Sequence, residues 1–309
     1  MTEFLIGTGG WAYFNVAGID SLIAYSRAFN FVEVNSTFYK IPTIKTVESW
    51  RRIVPKDFQF SVRCNKRLTH ELNFESVPET FAILDKMISI CETLEAKVLH
   101  FQTPPSFNYD EKNIETVKDF FSSIRQNKLR IALEIRGKTP FKSRLFNTLQ
   151  ELDIIHCVDL LKGIEPAYFN NIIYTRLFGK GSHNIYQPLD NELKEIIEVF
   201  SQKGIKKAQI ITHSMKMFKD AARLKIYNET GKFPMVTKST GVDSLTEVLR
   251  EDAKFPSSKT DLVNHQGWKI IDLTSTKRVR ASDLLEKLPE KTYNGIVEIV
   301  QTLGDHNYG

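Results

Sequence analysis

The sequence is poor in cysteine and lacks the short motifs that mark many cofactor and nucleophile sites. Its three cysteines, Cys64, Cys91 and Cys157, are far apart and form no C-x-x-C pair. Neither a disulfide framework nor a thiolate metal site is therefore indicated. No G-x-x-x-x-G-K-[ST] and no G-x-S-x-G pattern occurs, which excludes P-loop chemistry and a nucleophile-elbow hydrolase.

Long apolar runs are also missing, and no signal peptide precedes the first strand-like segment. We therefore expect a cytoplasmic protein without a membrane partner. The net charge is +5, and the tail from Lys232 onward holds 11 basic and 11 acidic residues, so the excess lies before it. Such an excess suits an anionic partner, either a small molecule or a nucleic acid, or serves only solubility.

Eight short β-type segments alternate with segments of helical period. The predicted strands are residues 4–7, 31–35, 58–64, 97–102, 130–136, 154–159, 172–178 and 208–213. The clearest helical segments are residues 20–29, 77–94, 113–127, 189–203 and 217–227. This alternation over about 230 residues is what a (β/α)₈ TIM barrel requires.

A doubly wound open sheet is the alternative fold, but it would usually carry a glycine fingerprint at the start of a helix. The first loop, residues 7–11, lacks G-x-G-x-x-G spacing, which disfavours a dinucleotide site. We expect residues 1–231 to form the barrel domain and residues 232–309 a small C-terminal domain that is α+β or helical.

Several motifs of the first 228 residues are found in a known family. They are I-G-T-G-G-W at 6–11, V-E-V-N-S-T-F-Y at 32–39, T-H at 69–70, F-Q-T-P-P-S-F at 101–107, E-I-R at 134–136 and Y-T-R-L-F-G at 174–179. In this order the chain resembles the YecE-like family, also called domain of unknown function 72. The resemblance implies a TIM barrel whose activity is not established. That family's barrel is similar to those of metal-dependent sugar isomerases and apurinic-site endonucleases, which is an analogy of fold only.

The chain departs from this family's pattern at three places. It has Phe178 where the family often has His, His213-Ser214 where the family often has an Asn pair, and Gly137-Lys138-Thr139 where the family often has Ser-Trp. Chemistry that needs those family residues is in doubt for this chain. The tail also resembles, faintly, a second small family of unknown function.

Polar side chains fall at alternate positions near the ends of the predicted strands, where a TIM barrel has its active site. Two glutamates and a loop histidine are the predicted catalytic residues: Glu33, Glu134 and His70. The predicted substrate-binding residues are Trp11, Asn35, Tyr39, Arg63, Gln102, Arg136, Arg176 and His213. Arginines bind phosphate or carboxylate bidentately, so this set indicates an anion pocket. On strand six His156 and Asp159 have opposite parity, so at most one of them faces inward.

Each candidate also has a purely structural interpretation. Glu33 could pair with an arginine and only brace the barrel, and His100 could be a hydrogen-bonded core residue. No cofactor is predicted. A divalent metal stays open, because Glu, Asp and His ligands are present, but no H-x-H, H-E-x-x-H or D-x-D spacing supports it.

The leading hypothesis is an enzyme that binds a phosphorylated or otherwise anionic substrate and performs phosphoester hydrolysis or acid–base chemistry on a sugar-like molecule. One alternative is a nucleic-acid-binding protein, with or without endonuclease-like activity, that uses basic residues to follow phosphates. These residues are Arg51, Arg52, Lys56, Arg63, Lys66, Arg67, Lys203, Lys206 and Lys207. The other alternative is a scaffold that recruits a partner through its tail.

Overall fold

The computed structural model describes residues 2–124, 129–138, 142–202 and 205–304. The chain divides into two compact units. The first comprises Met1–Leu177 and Val199–His213, and the second comprises Phe178–Glu198 and Ser214–Gly309. The end of the predicted helix at 113–127 lies outside the described residues, and so does the basic residue Lys203.

The first unit contains the strands of a TIM barrel, which confirms the predicted fold class. Its eight strands are β1 (Glu3–Thr8), β2 (Phe31–Val34), β3 (Gln59–Arg63), β4 (Val98–Gln102), β5 (Arg130–Glu134), β6 (Ile155–Cys157), β7 (Ile172–Leu177) and β8 (Lys207–Thr212). Hydrogen bonds join them in the orders β2-β3-β4-β5-β6 and β1-β8-β7, and every pairing is parallel. An isolated bridge between Val158 and Thr175 links the end of β6 to β7.

In the described parts of the sequence, seven helices alternate along the chain with these strands. They are α1 (Ser21–Ala28), α2 (Ile44–Ile53), α3 (Pro78–Leu94), α4 (Glu111–Ser122), α5 (Lys142–Glu151), α6 (Asp190–Gln202) and α7 (Met217–Thr230). Their ends follow ordinary capping rules. The carboxylate of Asp20 accepts the backbone N–H groups of Leu22 and Ile23, and Pro78 stands in the first turn of α3. Helices α2 and α5 were not among those that the sequence pattern indicated most clearly.

The barrel interior changes from apolar to polar along the strands. Near the amino ends Leu5, Phe31 and Val98 belong to one buried apolar cluster. Further along the same strands the inward positions are polar. Glu33 lies two residues after Phe31, and His100 and Gln102 lie two and four residues after Val98, all of them buried. Because side chains two apart share a face, the polar residues form a layer above the apolar one, at the carboxyl end of the barrel.

The contact between β1 and β2 depends on a glycine and a tyrosine. A Cβ at Gly7 would lie 2.2 Å from the carbonyl oxygen of Phe31, so only glycine allows this approach. The Tyr25 hydroxyl accepts the N–H of Thr8 at 3.0 Å and donates to the Phe31 carbonyl at 2.9 Å. This fully buried hydroxyl thereby joins two strands that no ladder hydrogen bonds connect among the described residues.

Replacing Tyr25 with phenylalanine is expected to lower the free energy of unfolding by about 1–3 kcal/mol, because it removes a buried hydroxyl and the hydrogen bonds that it makes to both strands. Urea unfolding followed by circular dichroism measures this change. The matched control is Tyr13→Phe, since the side chain of Tyr13 is 82% exposed. Equal stability of the two variants would contradict the bridging role.

The second unit has its own core. Besides α7 and most of α6, it contains α8 (Gly241–Asp252), α9 (Lys259–Gln266), α10 (Ser282–Leu285) and α11 (Ile296–Gly304), with two short antiparallel pairs. The pairs are β10 (Ile270–Asp272) with β11 (Arg278–Arg280), and β9 (Ser257–Ser258) with β12 (Thr292–Tyr293). Leu249, Leu262, Leu285 and Tyr293 are among its buried core residues. The domain boundary proposed near residue 231 stays a prediction.

Among the described residues, no helix has both the length and the apolar character that crossing a membrane requires.

Candidate functional site

A buried ion-pair cluster occupies the polar layer of the barrel. The Arg176 guanidinium, 1% exposed, lies between two carboxylates: its Nη1 is 2.7 Å from Glu134 Oε2, and its Nη2 is 3.1 Å from Glu33 Oε1. Strands β2, β5 and β7 supply these three side chains. Arg176 thus bridges carboxylates on two other strands. This is the contact that the structural interpretation of Glu33, as a brace of the barrel, predicts.

Glu33 is fully buried and held as an anion. The Tyr174 hydroxyl donates to its Oε2 at 2.6 Å, and that hydroxyl is in turn 3.0 Å from the Ser61 hydroxyl. Burial alone would raise the pKa of Glu33, but the Arg176 charge and the contact with His213 hold it well below its ordinary value. Glu33 therefore stays charged across the neutral range and has no exposed surface for a ligand.

His213 lies beside Glu33 at the end of β8. Its Nε2 is 3.1 Å from Glu33 Oε1 and 3.1 Å from Arg176 Nε. Arg176 Nε can instead donate to Glu33 Oε1, which lies 3.2 Å away and is a better acceptor because it is charged. We therefore place a proton on His213 Nε2, which donates it to Glu33 Oε1. Burial is the main cause that lowers the pKa of His213, and the Arg176 charge lowers it further, to about 4. The imidazole is therefore neutral at pH 7.

Gly9 leaves the space that His213 fills. A Cβ at this position would lie 1.9 Å from His213 Cε1, so the first loop needs glycine for the imidazole to reach Glu33.

Arg63 is connected to the ion-pair cluster through Gln102. Its Nη1 donates to Asn35 Oδ1 at 2.7 Å, its Nη2 donates to the Gln102 amide oxygen, and its guanidinium lies 3.5 Å from the Phe38 ring centre. Burial, then repulsion from Arg176, lowers the pKa of Arg63 to about 10, so it stays charged at neutral pH. Gln102 Nε2 donates to Glu134 Oε1 at 2.7 Å, which completes the connection to the ion-pair cluster.

His70 lies at the outer edge of the site, against the Phe38 ring. A single π-helical turn after β3, Arg67–Glu71, carries His70, whose ring lies 5.1 Å from Phe38. Burial lowers the pKa of His70, and the charges of Arg63, Arg136 and Lys66 lower it further. Arg136 is 49% exposed, with its Nε 3.9 Å from Glu134 Oε1.

Two aromatic residues of the predicted substrate-binding set, Trp11 and Tyr39, are less buried than the ion-pair cluster. Trp11 is half-buried and packs edge-on against Trp50 of α2 at 5.3 Å, while Tyr39 is 66% exposed beside Phe38. The contacts thus bring together Glu33, Asn35, Arg63, Gln102, Glu134, Arg136, Arg176 and His213, with His70 close by, and leave Trp11 and Tyr39 at the periphery.

Sequence reasoning missed Tyr174, Ser61 and Cys157. Tyr174 and Ser61 stand two positions before Arg176 and Arg63, so the parity argument could have found them. On strand six the inward residue is Cys157, which belongs to the buried interior cluster. His156 accepts the N–H of Ala167, and Asp159 caps a short 3₁₀ turn at Leu161.

The basic residues considered for nucleic acid do not share one face. Arg51 donates to the carbonyl of Phe58 and Lys207 pairs with Glu3, both at amino ends of strands, whereas Arg63 and Lys66 lie at a carboxyl end. Arg67 pairs with Glu71 and Glu79. Arg51 and Lys207 therefore lie at the opposite end of the strands from Arg63 and Lys66.

A cavity of about 1330 Å³ also opens at the amino ends of β3, β4 and β5. Phe60, Leu84, Cys91, Leu99 and Ile131 are among its wall residues. It lies at the opposite end of these strands from the ion-pair cluster. Volume alone does not make a functional site, because chemistry needs converging polar groups, and we place the site at the carboxyl end.

Comparison with known proteins identifies relatives. A family described as "Protein of unknown function DUF72" matches residues 5–228. The UPF0759 protein YunF of Bacillus subtilis (strain 168) is 26% identical over 168 residues, covering 50% of this chain and 59% of the relative. The chain therefore spans less than two thirds of the length of that curated relative.

Two solved structures of DUF72 family proteins share the fold. The protein from Thermotoga maritima MSB8 has a TM-score of 0.60 at 19% identity, over 74% of this chain and 99% of that one. The protein from Enterococcus faecalis V583 has a TM-score of 0.58 at 17% identity, over 74% and 98%. At these identities the likeness shows the fold and carries no activity.

Proposed function

Because the chain belongs to the DUF72 family, whose function is unknown, we propose a function from its own residues. The protein is an enzyme that binds a small anionic molecule, bearing a phosphate or carboxylate, at the carboxyl end of the barrel. It performs acid–base chemistry there, either phosphoester hydrolysis or proton transfer on a sugar-like substrate.

The observation that carries this proposal is a half-exposed arginine beside the polar layer. Arg136 Nε lies 3.9 Å from Glu134 Oε1, and Gln102 connects that carboxylate to a second arginine, Arg63. The charges of Arg63, Arg136 and Lys66 also lower the pKa of His70. Arg176, by contrast, is enclosed by Glu33 and Glu134. The ligand-binding arginine of the proposal is therefore Arg136, and Arg176 has a positioning role.

His213 is the proposed general base. A carboxylate that accepts a hydrogen bond from one imidazole nitrogen fixes the tautomer and orients the ring, and the other nitrogen can then accept a proton. Glu33 does this for His213 Nε2, so the carboxylate holds the imidazole in position to take a proton from the substrate. Glu33, having no exposed surface, acts through His213, and Glu134, 12% exposed, accepts ligand hydroxyls.

The first test measures binding of inorganic phosphate by isothermal titration at pH 7. Arg136→Ala is expected to weaken binding roughly 10- to 100-fold, because a charge-assisted hydrogen bond contributes about 1.5–3 kcal/mol. Arg27→Ala is the matched control, since Arg27 is exposed in the last turn of α1.

Equal effects of the two substitutions would overturn the anion pocket. The nucleic-acid alternative would be favoured if the protein bound no phosphate but bound an oligonucleotide tightly and in a salt-sensitive way.

A further inference from the structure

His100 is buried in the barrel interior without the hydrogen bonds that a buried histidine normally makes. It is 0% exposed, and among the described residues no group makes a well-directed hydrogen bond to either ring nitrogen. Its nearest charged neighbours are carboxylate oxygens, at 3.4 Å from Nδ1 (Glu33) and 3.3 Å from Nε2 (Glu134). An orphaned buried imidazole is costly unless something binds it.

A third ligand-type atom lies close to this imidazole and to Glu134. The Cys157 thiol on β6, 1% exposed, joins His100 Nε2 or Nδ1 and a Glu134 oxygen in a group whose ligand atoms all lie within 4.8 Å of one another. The three strands β4, β5 and β6 are hydrogen-bonded neighbours, with Gln102 opposite Glu134 and Glu134 opposite Cys157. The backbone therefore fixes the spacing of the group.

The spacing of His100 and Glu134 fits shared coordination of one ion. Two ligands at about 2.0–2.1 Å from one tetrahedral Zn²⁺ are about 3.3 Å apart. The distance from His100 Nε2 to Glu134 Oε2 is 3.3 Å. Arg176 Nη1 uses one lone pair of that oxygen at 2.7 Å, and a carboxylate oxygen has a second one.

The charges also leave room for a cation. Glu33 and Glu134 carry two negative charges and Arg176 one positive charge, while Arg63 is turned towards the amide oxygens of Asn35 and Gln102. When a divalent ion binds, Cys157 releases its thiol proton to solvent and becomes a thiolate. The three negative charges of Glu33, Glu134 and Cys157 are then balanced by Arg176 and the ion.

We propose that His100, Glu134 and Cys157 form a binding site for one divalent ion of the zinc class. Thiolate, imidazole and carboxylate together select zinc over magnesium or calcium, which prefer oxygen ligands. Three protein ligands leave a fourth position, as in catalytic zinc sites. The site shares Glu134 with the proposed anion pocket, but it does not involve Arg136 or His213.

The test uses Co²⁺ as a spectroscopic substitute for Zn²⁺ with the full chain, after treatment with a chelator. One equivalent of Co²⁺ is expected to give the visible bands of a tetrahedral centre and a near-ultraviolet thiolate charge-transfer band, and Zn²⁺ is expected to abolish both. Cys157→Ser should remove the charge-transfer band, and His100→Ala should weaken binding by roughly 100-fold or more, since even outer-shell changes cost 10–100-fold.

Cys91→Ser is the matched control, because Cys91 is equally buried and lies outside the group. It should keep the wild-type spectrum. If Cys157→Ser does not fold, zinc-edge X-ray absorption of the wild-type protein decides: one sulfur in the first shell supports the site. No stoichiometric binding, a first shell without sulfur, or an unchanged band in folded Cys157→Ser would overturn it.

Discussion

Replacing Arg176 with alanine is expected to lower the free energy of unfolding by about 3–5 kcal/mol, because it leaves two buried carboxylates without their shared counter-ion. Glu33 is 0% exposed and Glu134 12% exposed, so water cannot replace the guanidinium at Glu33. Urea unfolding at pH 7, followed by the circular dichroism of the barrel, measures the loss.

Arg130→Ala is the matched control for this substitution. Arg130 pairs with Asp153 at the surface, where both side chains are more than one third exposed. Such a pair contributes about 0.2–1 kcal/mol. A loss of the same small size in Arg176→Ala would show that the buried cluster does not brace the barrel.

A double variant separates the lost pair from the remaining charge. Arg176→Met combined with Glu33→Gln removes charges of both signs, and its stability should exceed that of Arg176→Met alone. This non-additivity is expected because a buried ion is destabilising chiefly when its partner is missing. If the double variant is the less stable one, the carboxylate of Glu33 contributes to stability through Tyr174 and His213 instead.

Local pattern was sufficient to predict most of the barrel. All eight predicted strand ranges overlap the observed strands, since a buried parallel strand between two helices is an apolar run of nearly fixed length. Parity then selected Glu33, Arg63 and Gln102 correctly as buried residues near strand ends, because alternation across a strand is a property of the backbone alone.

Partner choice could not be predicted in the same way. The sequence put Arg63, Arg136 and Arg176 in one anion pocket, yet only closure of the barrel brings Arg176 between Glu33 and Glu134. His70 depends on the π-helical turn after β3, which has no simple sequence signature. His100 could be interpreted as a satisfied core residue until the positions of all its neighbours were known.

His213→Gln is expected to lower the turnover number roughly 100- to 10,000-fold, the usual contribution of a general base, with a smaller effect on KM. Glutamine keeps a hydrogen-bond donor for Glu33 but cannot accept a proton in the way imidazole does. The probes are p-nitrophenyl phosphate and a panel of sugar phosphates. Ser122→Ala is the matched surface control, since Ser122 is exposed at the end of α4. Full activity of His213→Gln on a turned-over probe would remove His213 from the proposed mechanism.

The pH dependence of kcat/KM distinguishes His213 from an ordinary surface histidine. Glu33 (β2) favours the charged imidazole, whereas burial, Arg176 (β7) and Arg63 (β3) disfavour it, and the pKa of His213 is lowered to about 4. The base is therefore competent above that value, and activity should be lost only as the pH falls through about 4. Glu33→Gln removes the interaction that favours protonation, so the acid limb should move to still lower pH while the turnover number falls. An acid limb near 6.5, the usual histidine value, would assign the base to a more solvated histidine than His213.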